Sequence, residues 1–479
     1  MRPALAMALL LATAGCSMAP KYERAPPPVP ASWPAGDAYL RQSEATLPTV
    51  TYRDVFRDPR LQALVESALL NNRNLRVAAA NIATARAQFQ VQRASLFPQV
   101  NGGGNYTRSQ TSGAGTGTGG GFARSGTTLS ADIGISAFEI DLFGRLRSLS
   151  DAALNRYFAT EAAARATRLT LVGDIADTWL LYAADRSLLQ VAQDTVVSAR
   201  RSVDLTEARL RGGIAPRTDL AQARQILGQA EADVAAQTTL IAQDVNALRL
   251  LVGADIDPAL LPDSIASAGS TVAPLPAGLD STILLRRPDI VQAEYTLRAA
   301  NAQIGAARAA LFPTISLTGV LGFASNALSS LFQGDAFTWS VGPAINYPIF
   351  RAGAGRANVR VSEAQRDAAL ANYELAIQGG FRDVADALAR RGTLAAQLSA
   401  VDRQAEAAAD TFRLTEARYR GGIDTFLASL DAQRSLYAAQ RTQVNTRLVA
   451  ASNGVALYRA LGGDALIDSA PDGSAPTTP

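Results

Sequence analysis

Histidine is absent from the 479 residues, and cysteine occurs once, at Cys16. The commonest general base, the commonest metal ligand, any internal disulfide and any thiolate cluster are therefore missing, which argues against hydrolase triads and zinc sites. No glycine-rich loop ending in lysine is present to cradle nucleotide phosphates, so energy for any transport has to come from another protein. Charge of one sign is also lacking: 45 basic side chains stand against 42 acidic ones, +3 in all. Phosphate recognition needs clustered basic excess, so no nucleic acid partner is expected. Aromatics are only 6% of the chain. What is plentiful is alanine, a composition suited to long, closely packed helices. The expectation is a protein that is not an enzyme and holds no metal.

Long apolar runs are lacking too. The stretch from Ala4 to Ala12 is far shorter than the roughly 20 residues of a spanning helix, and Arg2 precedes it. With Thr13, Ala14 and Gly15 before Cys16, it reads as a lipoprotein signal peptide over 1–15, cut so that an acylated Cys16 becomes the first residue. That covalent lipid is the only prosthetic group expected, an anchor and not a span. Ser17 follows, not Asp, a pattern that resembles lipoproteins sent to the outer membrane. Pro26, Pro27, Pro28, Pro30 and Pro34 then make an extended strap, and 469–479 reads as a disordered tail.

Comparison of the chain with itself shows a duplication. Arg93-Ala-Ser-Leu-Phe-Pro98 recurs 215 residues later as Arg308-Ala-Ala-Leu-Phe-Pro313. Leu205-Thr-Glu-Ala-Arg-Leu-Arg-Gly-Gly-Ile214 recurs 209 residues later from Leu414 to Ile423, with nine of ten positions identical. Within the first half, Ile175, Tyr182, Leu189, Val196, Val203 and Leu210 step by seven, a coiled-coil seam with small companions at Ala192, Ala199 and Thr206. Continuous helix from Arg145 to Arg211 would be about 100 Å long. Gly212-Gly213 ends it, and a second heptad run through Leu220, Leu227, Val234, Ile241 and Leu248 returns antiparallel. The copy descends through Ile377, Val384, Leu398, Ala405, Phe412 and Tyr419, turns at Gly421-Gly422, and returns through Leu430, Tyr437, Val444, Ala451 and Tyr458.

Between the helical stretches the period is two. Phe337, Trp339, Val341, Pro343, Ile345, Tyr347 and Ile349 alternate with small or polar residues, as barrel strands do between lipid and water. Ile315, Leu317, Gly319, Leu321 and Phe323 alternate similarly; 128–137 places Leu129, Ile133 and Ile135 outward; 98–108 is weakly patterned. The glycine-, serine- and threonine-rich segment 109–127 reads as a loop between the first two strands. Two separate hairpins cannot bury both faces of a sandwich. One chain is also too few strands to close a membrane barrel, which needs about eight or more. Three copies would give twelve strands around a lumen, whereas two would give eight around a side-chain-filled interior.

The lipobox, the duplicated plan, Phe138-Glu-Ile-Asp-Leu-Phe-Gly-Arg145 and the paired Arg-Gly-Gly-Ile turns together resemble the outer membrane efflux factors, on their OprM-like and NodT-type lipoprotein branch, with TolC more distant. The resemblance implies an α+β membrane protein. Its duplicated β-hairpins and long antiparallel coiled-coil helices would form a homotrimeric twelve-stranded outer-membrane β-barrel continued by a periplasmic α-helical barrel. It divides the chain into the signal peptide 1–15, a lipidated strap 16–52 and a first repeat 53–252, with hairpin about 97–143 and coiled coil about 145–252. An equatorial linker 253–284 follows, then a second repeat 285–464, with hairpin about 312–350 and coiled coil about 351–461, and a tail 465–479.

The implied function is an outer-membrane exit duct for drugs or other toxic small molecules. An inner-membrane efflux pump of the RND type would drive it through a periplasmic adaptor. Tyr419, Leu427, Asp431 and Arg434 match the family's periplasmic aperture, with Ala428 where TolC has a second Asp ring. Arg211, Gly212, Gly213 and Ile214, with Arg420, Gly421, Gly422 and Ile423, would form the tip that meets the adaptor. Asp431 and Arg434, three apart on a helix, also suit an ordinary exposed ion pair. A duct for type I protein secretion fits the same architecture, and a lipid-anchored periplasmic coiled-coil scaffold is the reading from another class.

Overall fold

The computed structural model of the chain describes residues 17–34, 39, 51–111, 124–275 and 281–463. Cys16 and the expected signal peptide before it, most of the expected strap beyond 34, residues 112–123 of the expected first loop and the tail expected over 465–479 lie outside the described residues. Along the rest, helices α1 (Tyr52–Val55), α2 (Pro59–Asn71) and α3 (Arg73–Ala94) precede strands β1 (Val100–Thr111) and β2 (Arg124–Ile140). Helices α4 (Arg145–Arg211) and α5 (Arg217–Val252) follow, then the short α6 (Ile265–Gly269). The plan then repeats as α7 (Pro288–Ala309), β3 (Thr314–Ser325), β4 (Phe337–Asn346), α8 (Ala354–Arg420) and α9 (Phe426–Ala460). Both α4 and α8 run unbroken for 67 residues. Among the described residues no helix is long and apolar enough to cross a membrane.

The chain forms two compact units. The first comprises described residues within 1–25, 82–160 and 293–372. Its strands make one antiparallel sheet in the order β1-β2-β3-β4, so the two hairpins are not separate: β2 of the first repeat pairs with β3 of the second. Register aligns the alternation across all four strands. Ile133 lies opposite Leu321, which lies opposite Trp339, and Ile315 opposite Ile345. One face thereby collects the apolar row, and it is left open: Trp339, Val341 and Ile345 are 72%, 63% and 71% exposed. The other face carries Asn101, Asp132, Thr318 and Ser340. Phe97, Tyr347 and Phe350 stand exposed at one end of the strands, and Phe323, Phe332 and Phe337 cluster at the other, with centroids 5.6 and 5.8 Å from the Phe323 ring. An apolar band between two aromatic girdles is the surface of a lipid-facing sheet.

Two strand expectations need correction. The first loop is shorter than 109–127, because Ser109, Gln110 and Thr111 still pair with Gly126, Ser125 and Arg124. Their small polar side chains favour a loop in sequence but do not block the ladder. The second strand does not stop at Ala137. A β-bulge shifts the register between Ile135 and Phe138, with Ala137 at φ 50, and the strand continues to Ile140. The extra residue returns Phe138 and Ile140 to the apolar face, which strict alternation would have assigned to Ala137 and Glu139.

The described start of the strap, in the same unit, lies along α7. Glu294, 5% exposed in its side chain, accepts from Arg24 at 3.1 and 2.7 Å, from Tyr22 Oη at 3.2 Å and from Arg298 at 2.6 Å. Asn301 donates to the Pro20 carbonyl at 2.7 Å, and Ala19 packs on Gly305 so tightly that a Cβ there would come within 2.7 Å. The strap thus runs antiparallel to α7, with Ser17 toward the end from which β3 departs.

The second unit comprises described residues within 26–81, 161–292 and 373–479. It holds the largest fully buried side chains, among them Trp179, Tyr373, Tyr458, Phe56 and Leu248. Seam residues Ile175, Ala192, Ala199 and Thr206 are buried, as are Ile377, Val384 and Tyr419 in the copy. Val196, Val203, Leu227 and Val234 are only half-buried in a single chain.

Asp185 on α4 and Asp244 on α5 are also buried, 6% and 7% exposed, and their carboxyls share a hydrogen bond. Burial first, and then the neighbouring carboxylate, push Asp244 up to about 7. Because this value lies above that of the unfolded chain, the folded state holds a proton that the unfolded state releases between about pH 4 and 7, and stability falls as pH rises through that window. Asp244→Asn is expected to raise the unfolding temperature at pH 8 and to flatten its decline between pH 5 and 8, as followed by circular dichroism.

Candidate functional site

Both long descending helices end in the same turn. Gly213 N–H donates to the Leu210 carbonyl and Ile214 N–H to that of Arg209, each at 3.0 Å. In the copy Gly422 N–H donates to Tyr419 at 3.0 Å and Ile423 N–H to Arg418 at 2.9 Å. This pair of bonds closes a helix through a left-handed residue, and Gly213 and Gly422 both have φ 74. A Cβ at either would meet nothing within 4 Å, so backbone conformation and not space demands glycine. Gly212 and Gly421 carry no positive φ. We therefore expect Gly422→Val to destabilise the turn by about 1–2 kcal/mol and to lower efflux, while Gly421→Ala stays close to wild type. A drug-tolerance assay at matched membrane abundance checks the pair. Around the turns Arg211 and Arg420 are exposed, Ile214 and Ile423 are 76% and 68% exposed, and Arg420 pairs with Glu416 at 2.5 Å.

Behind the second turn, Tyr419, Phe426, Leu430 and Ala223 form a core edged by Val203, Leu205 and Ile226. Tyr419 is 5% exposed, and its ring lies 5.4 Å from that of Phe426. The Arg209 guanidinium sits over the Tyr419 ring at 4.2 Å and donates to the carbonyls of Tyr419 at 2.8 Å and Arg420 at 3.2 Å. Arg418 instead grips Asp424 at 2.6 and 3.0 Å, which holds that carboxyl below its usual range.

Leu427, Asp431 and Arg434 follow at i, i+4 and i+7 of α9, on one helical face. Leu427 is 54% exposed, and Asp431 and Arg434 are exposed as well. Among the described residues no ion pair or hydrogen bond engages Asp431 or Arg434, so the intrahelical pair that their spacing suits is not formed. The chain brings these three together and keeps Tyr419 apart from them, because the tyrosine ring fills the space between α5, α8 and α9. Cys16 lies outside the described residues. Arg209 and Phe426 escaped the sequence reading. Arg209 sits inside the repeated Leu-Thr-Glu-Ala-Arg motif, but repetition alone does not show which copy reaches across.

The family described as outer membrane efflux protein matches residues 64–254 and 279–463. The chain is 43% identical over 466 residues to the solvent efflux pump outer membrane protein SrpC of Pseudomonas putida, covering 96% of this chain and 97% of that protein. Among solved structures it resembles CusC at 37% identity and TM-score 0.83, covering 94% of this chain and all of that one. It also resembles the open state of the MtrE outer membrane channel of Neisseria gonorrhoeae, at 34% identity and TM-score 0.81, covering 94% and 98%.

Proposed function

The chain belongs to the outer membrane efflux protein family, and from that premise we propose that three copies form the outer-membrane duct of a tripartite efflux system for solvents, drugs and similar toxic small molecules. The observation that carries this reading is the sheet. Its four strands leave β1 and β4 with one partner each and expose a continuous apolar face. Unpaired edges in hydrocarbon cost several kcal/mol per group, so the sheet has to close with others, and twelve strands from three copies leave a lumen. The half-buried heptad residues of α4 and α5 supply the matching helical contacts between copies. Transport energy comes from an inner-membrane pump of the RND type through a periplasmic adaptor that meets Arg211 to Ile214 and Arg420 to Ile423.

Leu427, Asp431 and Arg434 form the aperture at the periplasmic end. Their exposure, and the lack of side-chain partners for Asp431 and Arg434 among the described residues, support this, since charges held open in one chain are free to pair between chains. Tyr419 backs the aperture from inside the chain. Cys16 carries the lipid, and the seat of the strap along α7 supports it by directing Ser17 toward the base of β3. Deleting the gene is expected to lower tolerance to toluene-like solvents and lipophilic antibiotics several-fold, with restoration by the intact chain but not by one lacking 337–346. Unchanged tolerance with loss of a secreted protein from the medium would instead identify a protein-secretion duct.

A further inference from the structure

Gly102-Gly103-Gly104 leaves three successive positions of β1 without a side chain. Gly103 lies opposite Asp132, Asp132 opposite Gly322, and Gly322 opposite Thr338, so one row of the polar face reads Gly, Asp, Gly, Thr from β1 to β4. A Cβ at Gly103 would come within 3.3 Å of an Asp132 carboxylate oxygen, and one at Gly322 within 2.6 Å of the Asp132 Cα. The carboxylate thus lies over the bare backbone of Gly103, and neither adjoining strand offers a side chain to cover it. The rows on either side carry no charge: Asn105, Ser130 and Ala324 on one, Asn101, Gly134, Val320 and Ser340 on the other. Further along β2, the acid Glu139 is neutralised by Arg145 at 2.8 and 2.5 Å. Among the described residues no ion pair or hydrogen bond engages the Asp132 carboxylate.

We propose that Asp132 sets the charge preference of the duct within the barrel: three copies place three carboxylates on one level of the lumen, where they favour cationic solutes over anionic ones and leave neutral solutes unaffected. The inference rests on the twelve-stranded closure above. With four strands from each chain, an Asp132 stands on every fourth strand of the ring, and Thr338, two strands away, is roughly 10 Å from it. That separation is about one Debye length in 0.1 M salt and about three in 1 M. The carboxylates therefore act on a passing ion through their field and not by coordinating it. Gly103 and Gly322 keep the charge bare and the lumen wide at this level. Uncharged solvents pass the ring without sensing it, so Asp132 determines specificity and does not gate.

A thiol on the same row reads the field directly. Thr338→Cys is combined with intact Asp132, with Asp132→Asn or Asp132→Ser, and with Asp132→Glu, while Val341→Cys is the lipid-face control. Cys16 is the only other cysteine, and its labelling is subtracted using the parent chain. With the complexes in lipid nanodiscs, modification rates are compared for a cationic and an anionic methanethiosulfonate of similar size. In 0.1 M salt the cationic-to-anionic rate ratio at Thr338→Cys is expected to be about threefold higher with Asp132 than with either neutral variant, and the difference is expected to vanish in 1 M salt. Asp132→Glu should keep the high ratio. A side chain that only supports the fold would move both rates together. Equal ratios with and without the carboxylate, where Thr338→Cys reacts and Val341→Cys does not, would overturn the inference and leave the barrel standing. A reactive Val341→Cys beside an unreactive Thr338→Cys would overturn the closure, and the inference with it. If neither thiol reacts, the row does not face water and the inference also falls.

Discussion

Val341→Lys is expected to abolish assembly in the outer membrane, whereas Ser340→Lys, one residue away, is expected to insert normally. Val341 stands near the middle of β4 on the apolar face, 63% exposed in the single chain, opposite Gly319. A lysine on the lipid side of a strand at mid-bilayer costs about 2–4 kcal/mol. Closure by three copies triples that penalty to about 6–12 kcal/mol, comparable with the whole stability of a domain. Ser340 points to the opposite face with Asp132 and Thr318, where water meets the sheet and a cation remains hydrated. Heat-modifiable migration of the membrane fraction reads both outcomes. Equal loss in both variants would mean that the two faces are not lipid and water.

The second large effect is at the aperture. Asp431→Ala together with Arg434→Ala is expected to raise single-channel conductance several-fold and to make cells sensitive to vancomycin, with little change in the abundance of the complex. Three Asp431 carboxylates converging near an axis repel one another unless a cation compensates them, and Arg434 is a cation whose side chain has no ion pair among the described residues of its own chain. Closure then rests on a few polar contacts and on Leu427, which an adaptor can break at modest cost. Because the intrahelical pair is not formed, an effect limited to slightly weaker helices is not the expectation. Wild-type conductance and wild-type resistance at normal abundance would place the gate elsewhere.

The features legible in the sequence are those written in local periodicity. The helix stops at Gly212-Gly213 and Gly421-Gly422 follow from residue chemistry alone, although only Gly213 and Gly422 adopt the left-handed conformation. The alternation from Phe337 to Ile345 sits in one strand, but its expected continuation through Tyr347 and Ile349 lies beyond the end of β4 at Asn346, where Pro348 has no N–H to offer the ladder. Non-local features were hidden. Pairing of β2 with β3 joins residues nearly 190 positions apart, as Ile133 with Leu321, and nothing in either hairpin announces the other. The bulge at Ala137 inverts parity, so the sequence pattern appeared to end where the strand only changed step. Of the aperture residues, the i, i+4, i+7 spacing of Leu427, Asp431 and Arg434 gave their shared face. Burial of Tyr419 depended on Ala223 and Phe426 from other segments, which periodicity does not specify.

The trimeric closure of the sheet is what every other assignment depends on, and native mass spectrometry of the detergent-extracted protein tests it most directly. The predicted result is a complex of three chains, stable in mild detergent and free of other stoichiometries. A complex of two chains, giving eight strands and a filled interior, or a stable monomer, would contradict the duct.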